Sequence, residues 1–381
     1  MLLTKLATFA NTAPKAIILV TFISLLASWL NWGFGLVIGA LFAKAIAKQT
    51  RVDYRLLVAS AYSGFVVWHG GLAGSVPLTI ASQGHFSQAT MGIIGTQQTL
   101  FAGFNIAILI GLFFIMPLVN RYMLPSEKDS VYVDPSLLEN TPPDKVTITR
   151  PAQHLEQSKL LGMGIGLIGL AYLGYYFFIA GGGLNLNSVI ALFLFMAITL
   201  HQTPHNVLNS LQQAIPSGAG IVIQFPFYAG IMGIMIYTGL GESLSQGIVS
   251  VSSLKTYPYF SFLLGGIVNF AIPSGGGEFA VIGPSVLEAV KTIGSSLPTE
   301  EIISMVYLAS LAIAYGETLT NLLQPFYLLL VLPIMGAGTN LQARDIMGYL
   351  VVPFLVFFIV YSCLLYTSDA ADEEDSVDLG G

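Results

Sequence analysis

Leu26-Ala-Ser-Trp-Leu-Asn31-Trp-Gly-Phe-Gly35 interrupts an apolar run over residues 16–43, and the reading of that interruption decides the fold. A helix crosses a hydrocarbon core with about 20 apolar residues, so the run is too long for one crossing. Basic residues flank it on both sides, Lys5 and Lys15 before it, Lys44, Lys48, Arg51 and Arg55 after it. Cytoplasmic loops hold the Lys/Arg excess of a membrane protein. Both flanks therefore read as cytoplasmic, and the run reads as a re-entrant hairpin that turns at residues 31–35. A straight crossing would put one of the two basic clusters on the wrong side.

The remaining apolar segments follow from this one. They fall at 56–80, 100–119, 160–180, 188–200, 219–240, 257–290, 302–334 and 346–364. Segment 56–80 leads out and 100–119 returns. The loop 120–159, with Arg121, Lys128, Lys145, Arg150 and Lys159, is cytoplasmic. Three spans then end outside near Glu242. Segment 257–290 is a second hairpin, entered from the outside, and 302–334 is a broken span towards Arg344. On this path twelve of the fourteen basic residues lie inside, and only Lys255 and Lys291 lie outside. The fold class is an all-α polytopic membrane protein.

The composition agrees. Over 381 residues, 54% are hydrophobic and only 9% charged, against roughly 25% charged in a soluble domain. That excludes a cytosolic enzyme, a nucleic-acid binder and a disordered chain. The long continuous runs exclude an outer-membrane barrel, whose segments are short and alternating. The net charge of −6 comes from the end of the chain. Asp369, Asp372, Glu373, Glu374, Asp375 and Asp378 lie there, and the 14 other acidic residues match the 14 basic ones. Residues 363–381 resemble the translated end of a transposase adapter, so they are expected to be a non-native tail and stand outside the fold reasoning.

An internal repeat links the two hairpins. Residues 26–35 resemble Gly265-Gly-Ile-Val-Asn269-Phe-Ala-Ile-Pro273-Ser-Gly-Gly-Gly277: each has Asn, an aromatic residue and a Gly-rich break. Each hairpin is followed by Ala-Tyr (Ala61-Tyr62 and Ala314-Tyr315) and then a second break, at 68–75 and at 316–321. The hairpins open to opposite sides, which is the pattern of an inverted repeat. The expected organisation is an N-terminal repeat over 1–119, shortened at its start, the loop 120–159, a C-terminal repeat over 160–362 and the tail 363–381. Paired Gly/Pro breaks in corresponding halves mark a transporter's binding site.

The candidate site residues lie at those breaks. Asn31, Trp32, Gly33 and Gly35 form the first hairpin tip; Asn269, Pro273, Ser274, Gly275 and Gly276 form the second. Freed amides at a helix start attract an anion, and freed carbonyls and hydroxyls attract a cation. Packing by small residues is the plainer account of such glycines. Glu317 lies inside a long apolar segment beside Thr318, Thr320 and Asn321, and carboxylates there are costly and usually functional. Ser75 is an oxygen ligand candidate. His69, Glu278 and Gln224 are accessory candidates, the first two for carrying a proton. Pro226 is expected to break the span 219–240. No nucleophile–base or metal constellation is present in the sequence, so no enzyme activity and no cofactor beyond a coupling ion is expected.

Several motifs in order resemble the short-chain fatty acid transporter family, the type associated with bacterial acetoacetate and butyrate degradation. They are 31–40, Gln224-Phe-Pro-Phe-Tyr-Ala-Gly-Ile231, 269–277, Ala312-Ile-Ala-Tyr-Gly-Glu317, Gln324-Pro-Phe326 and Arg344-Asp-Ile-Met-Gly-Tyr349. More distantly, the hairpins resemble the ion-transporter superfamily of citrate and dicarboxylate carriers. The resemblance implies secondary uptake of acetoacetate, butyrate or acetate across the bacterial cytoplasmic membrane, coupled to H⁺ or Na⁺, with an elevator mechanism. The partners implied are a short-chain monocarboxylate, the lipid bilayer and a second copy in a homodimer, and no nucleic acid. A dicarboxylate carrier is the alternative, and a non-transporting scaffold a remoter one. The chain departs from the family pattern at two positions. Members can carry Gly where this chain has His69, and His where it has Glu278.

Overall fold

A computed structural model describes residues 2–138, 150–336 and 339–377. All regular structure among the described residues is helical. The α-helices are α1 (Leu2–Ala7), α2 (Ala13–Leu30), α3 (Trp32–Ala47), α4 (Tyr54–Ser63), α5 (Ser75–Ile80), α6 (Gln88–Met91) and α7 (Gly103–Tyr122). They continue with α8 (Pro151–Glu156), α9 (Lys159–Phe178), α10 (Leu186–His201), α11 (Pro204–Tyr237) and α12 (Leu240–Val249). The last are α13 (Tyr257–Asn269), α14 (Gly275–Ile293), α15 (Thr299–Thr320), α16 (Leu328–Met335) and α17 (Ala343–Val377). Six helical segments among the described residues are long and apolar enough to cross a membrane. The pair Leu186–His201 and Pro204–Ile215, bent by 117° where His201 and His205 flank a turn, is a broken span or a re-entrant loop, and counted as one span it brings the total to seven. The chain is thus a multi-pass helical membrane protein.

The chain divides into two units. One joins Met1–Leu138 to Ile223–Gly381, and the other is Glu139–Val222. In the second unit α10 starts at a reciprocal cap between Asn185 and Ser188. The row Gly162, Gly166 and Gly169 of α9 abuts Gln202, Thr199 and Phe195 in turn. That order makes α9 and α10 antiparallel, with small residues letting the backbones close up.

The first unit holds two bundles of similar plan. In one, α2 ends at Asn31, a single extended residue that also caps α3 by accepting from Phe34 N at 3.0 Å. From there α3 runs back along α2, Gly35 facing Ser28 and Gly39 facing Ser24. The third rod, α4 with its 3-10 continuation Gly64–Gly70, runs parallel to α2: Ser24 Oγ donates to Ala61 O, and Leu72 N donates to Trp29 O at 2.8 Å. In the other bundle α15 runs parallel to α13, with Gly265 against Ile313 and Asn269 against Glu317. Helix α14 runs antiparallel to α15. Its Gly294 end abuts Met305, and its Gly275 end abuts His69, a near neighbour of Glu317.

Three expected breaks shift in detail. The tip at Asn31 occupies one residue rather than 31–35, because Asn31 ends one helix and caps the next. The break after α15 falls at the end of the expected stretch 316–321: the α-helix ends at Thr320 and a 3-10 turn follows over Asn321–Leu323. Gly316 itself stays helical and packs closely on the Phe262 backbone. The 3-10 turn ends at Gln324, which is extended (φ −126°, ψ 148°) before Pro325. A residue preceding proline is pushed out of the α region, which explains the position. The interruption expected at Pro226 leaves helix α11 unbroken from Pro204 to Tyr237.

Candidate functional site

His69 is the residue around which the breaks converge. It lies near the end of the 3-10 turn Gly64–Gly70 and is fully buried. Its Nε2 is 3.2 Å from Ser75 Oγ, at the start of α5, and 3.6 Å from Glu317 Oε2, on α15. The tip of the second hairpin closes on the same ring: a Cβ at Gly275 would be 2.2 Å from His69 Nε2 and 2.8 Å from Ser75 Oγ. Only glycine lets that backbone approach so near. One helical turn later, Glu278 is 1% exposed and within electrostatic reach of Glu317. Positions 69 and 278 therefore border one site.

Asn269 fixes the far side of Glu317. Its Nδ2 reaches Glu317 O at 3.0 Å, Thr320 Oγ1 at 2.7 Å and Asn321 Oδ1 at 3.1 Å. Gln324 Nε2 donates to the same Asn321 oxygen at 2.8 Å. Tyr62 OH donates to Asn321 O at 3.0 Å, tying α4 to the break after α15. These are buried groups in an apolar bundle, where an unmade hydrogen bond costs about 1–3 kcal/mol. The network holds the 3-10 turn Asn321–Leu323 in place.

Several polar atoms at the site nevertheless have no hydrogen-bond partner. Oxygens of this kind are both carboxylate oxygens of Glu278 and of Glu317, with Asn269 Oδ1 and Thr318 Oγ1. Nitrogens are Trp68 Nε1, His69 Nδ1 and Asn321 Nδ2. His69 Nε2 shares its hydrogen bond with Ser75 Oγ, and the tautomer sets which of the two donates and whether Nδ1 carries the proton. Buried polar groups are normally satisfied, so such a concentration calls for a ligand or a proton. Among the described residues, no three His, Cys, Asp or Glu side chains are placed to chelate a metal.

An aromatic wall adjoins the polar cluster. Trp68 rests against His69 with ring centres 3.6 Å apart, and stacks on Phe65 at 5.4 Å. Trp32 reaches Trp68 at 6.2 Å and Tyr327 at 5.9 Å. Tyr327 follows the break after α15 and lies 4.7 Å from Phe65. Thus the first hairpin contributes Trp32 to the site's surroundings through its ring.

The structure gathers His69, Ser75, Asn269, Gly275, Glu278, Glu317, Thr318, Thr320 and Asn321 together. Pro273 and Ser274 form the loop into α14, and Ser274 O accepts from Glu278 N at 2.7 Å. The remaining candidates have other positions. Asn31 spends its side-chain oxygen on its own cap. Gly35 is held by packing, since a Cβ there would lie 2.4 Å from Ser28 Cα. Gly276 borders open space, and Gly33 has only the Asn31 side chain near it. Gln224 belongs to α11, and its side chain lies outside what the structure describes.

Two buried asparagines are equally placed but carry no motif. Asn105 Nδ2 donates to Gly70 O at 3.0 Å and Leu100 O at 2.7 Å, while its Oδ1 accepts from Tyr315 OH at 2.6 Å. It thereby pins the residue after His69 to the helix that carries Glu317. Asn120 Nδ2 donates to Ser63 Oγ at 2.7 Å and Thr21 Oγ1 at 3.0 Å, joining three helices. An Asn inside an apolar span was the available signal in both cases.

The profile of the family described as Short chain fatty acid transporter matches residues 1–367. A protein of Escherichia coli (strain K12) named "Putative short-chain fatty acid transporter" is 38% identical over 364 residues, covering 94% of this chain and 80% of that protein. One of the same name from Haemophilus influenzae is 37% identical over 358 residues, covering 91% of this chain and 77% of its own. No solved structure matches the chain.

Proposed function

The chain belongs to the short-chain fatty acid transporter family, and on that premise we propose that it is a secondary active carrier, with no enzymatic activity. It moves short-chain monocarboxylates such as acetoacetate, butyrate and acetate across the bacterial cytoplasmic membrane together with a cation. The observation that carries this reading is the meeting of two broken helices and a hairpin tip around buried polar atoms without partners. Intramembrane carboxylates mark ion pathways, and irregular backbone at such depth belongs around a binding site.

The unpartnered atoms divide by chemistry. Trp68 Nε1 and Asn321 Nδ2 are donors suited to a carboxylate, and His69 Nδ1 joins them in the tautomer that protonates it. The aromatic rings of Trp32, Phe65 and Tyr327 offer apolar surface for a short acyl chain. No Lys or Arg is among the residues of the cluster, which favours a monoanion over a dianion. The acidic oxygens are suited to the coupling cation.

The two bundles are read as an inverted repeat that alternates access by an elevator movement. Support comes from the third rods. Tyr62 pairs with Asn321 and His69 with Glu317, so the rod of one bundle runs antiparallel to that of the other. Proteoliposomes holding the purified chain test the whole reading. Saturable uptake of labelled butyrate or acetoacetate under an ion gradient is expected, and retention that neither saturates nor responds to a gradient would refute it.

A further inference from the structure

We propose that a cavity where α6, α14 and α15 meet is an entry site that takes short-chain monocarboxylates from the external solution. This rests on the carrier reading above and adds the place where the substrate is first held. The cavity has a volume of about 390 Å³ and is lined by Met91, Lys291, Thr299, Ile302, Ile303 and Val306. Met91 ends α6, Lys291 lies in the last turn of α14, and the other four belong to the start of α15. On the topology that the basic residues give, this end of α14 faces outward, where basic residues are scarce.

A lysine in the last turn of a helix also suits the helix dipole, so Lys291 alone identifies nothing. The cavity beside it is the independent observation. Lys291 is partly buried, and among the described residues no carboxylate or hydrogen-bond partner holds its ammonium group. The nearby acidic residues in sequence, Glu288, Glu300 and Glu301, are exposed, and none lines the cavity.

The lining selects the ligand. One ammonium group in a mostly apolar wall matches one carboxylate with a short alkyl chain. A dianion would leave a charge unpaired. A sugar would bury hydroxyls against Met91, Ile302 and Val306, and unpaired polar groups are costly there. The volume lies near the lower end of the range for small-ligand sites, about 300–1,000 Å³. It holds one short chain rather than the two tails of a phospholipid.

The floor of the cavity is fixed. Met91 and Val306 are 9% and 2% exposed and belong to the apolar core that contains Phe279 and Ile282 of α14. The approach of Gly294 to Met305 holds the end of α14 against the start of α15. Lys291 follows Glu278 by 13 residues on α14, about 20 Å at the helical rise. The cavity is therefore separate from the polar cluster at His69. A single partly exposed ion pair holds an anion weakly, which suits a site that must pass its ligand on.

The test uses the full chain in liposomes and a pentanoate that bears a photoreactive diazirine. Labelling should map to the start of α15, around Ile302 and Ile303, and excess butyrate should displace it. Ile303→Trp, at a position 39% exposed, fills the cavity from its rim and should abolish the labelling. Lys291→Gln should raise the butyrate concentration for half displacement about two- to fivefold. Lys291→Arg should restore it, and Lys128→Gln, at an exposed position in another loop, should leave it unchanged. In uptake, Lys291→Gln should raise KM by a similar factor with the maximum rate unchanged. Thermal midpoints like that of the unaltered chain separate a lost site from a misfolded variant. No labelling at the start of α15, or labelling that neither Ile303→Trp nor Lys291→Gln alters, would overturn the site. Labelling that butyrate fails to displace would show lipid covering the cavity and would overturn it too. Saturable butyrate uptake without this labelling would overturn the site and leave the carrier reading intact. Displaceable labelling without any saturable uptake would uphold the binding site and refute the carrier reading.

Discussion

His69 Nε2 stands 3.6 Å from Glu317 Oε2, across a junction where the rod containing α4 meets the rod containing α15 from the opposite direction. The first prediction concerns this pair. Glu317→Gln keeps the shape and removes the charge, so it should reduce butyrate uptake at least about tenfold while leaving membrane levels unchanged. His69→Gln should do the same. Immunoblotting beside uptake in the same vesicles checks both.

Gly275→Ala places a methyl group 2.2 Å from His69 Nε2. Overpacking of this kind costs about 1–3 kcal/mol, read as a lower thermal midpoint in detergent. His69→Gly in the same chain removes the obstruction and should restore most of that midpoint without restoring uptake. A midpoint unchanged by Gly275→Ala would show that the tip does not seat on His69.

Glycines at the two hairpins should separate into packing and free positions. Gly35→Ala meets Ser28 backbone and should destabilise the protein by about 1–3 kcal/mol. Gly276→Ala meets nothing within 4 Å and should leave the thermal midpoint unchanged. Equal effects of the two would contradict the close approach of α2 and α3.

Asn105→Leu strands Tyr315 OH and Gly70 O in the interior. The loss should be about 1–3 kcal/mol per stranded group, with Tyr315→Phe costing less, since it removes one partner and leaves Asn105 bonded to Gly70 and Leu100. Denaturation midpoints of the two variants measure the difference.

Much of this arrangement is legible in the sequence, and the parts that are not have physical reasons. The broken segments were visible because Gly, Pro and Asn inside apolar runs violate helix rules regardless of context. The carboxylate Glu317 was visible because charge in an apolar span is expensive. The two hairpin asparagines looked equivalent in sequence yet differ in use. Asn31 caps the helix that follows it, while Asn269 ends a helix that packs on α15 and is drawn into a cross-link. Local sequence does not carry that packing. The partners of Tyr315 and Tyr62 lie 210 and 259 residues away along the chain, so neither tyrosine announced itself. Within the break expected at 316–321, Gly316 is not a breaker but the small residue that admits α13, and the α-helix ends at Thr320.

The cytoplasm-facing end expected from the basic residues has its own latch. Asp53 is 1% exposed and accepts from Leu56 N at 2.8 Å and Val131 N at 2.7 Å, with Arg55 at 3.0 Å. Arg55 also donates to Asp129 O at 2.8 Å. Asp53→Ala should free the segment around Val131, and limited proteolysis of vesicles opened to expose that face should then cut there faster.

The account turns on whether Glu317 couples an ion to monocarboxylate movement. The direct measurement is labelled butyrate uptake into proteoliposomes under an imposed inward sodium or proton gradient, for the unaltered chain and for Glu317→Gln at equal protein content. Saturable uptake that rises with one gradient and is lost in Glu317→Gln is the predicted result. Equal gradient-driven uptake by both chains, or uptake by the unaltered chain that ignores both gradients, would contradict it.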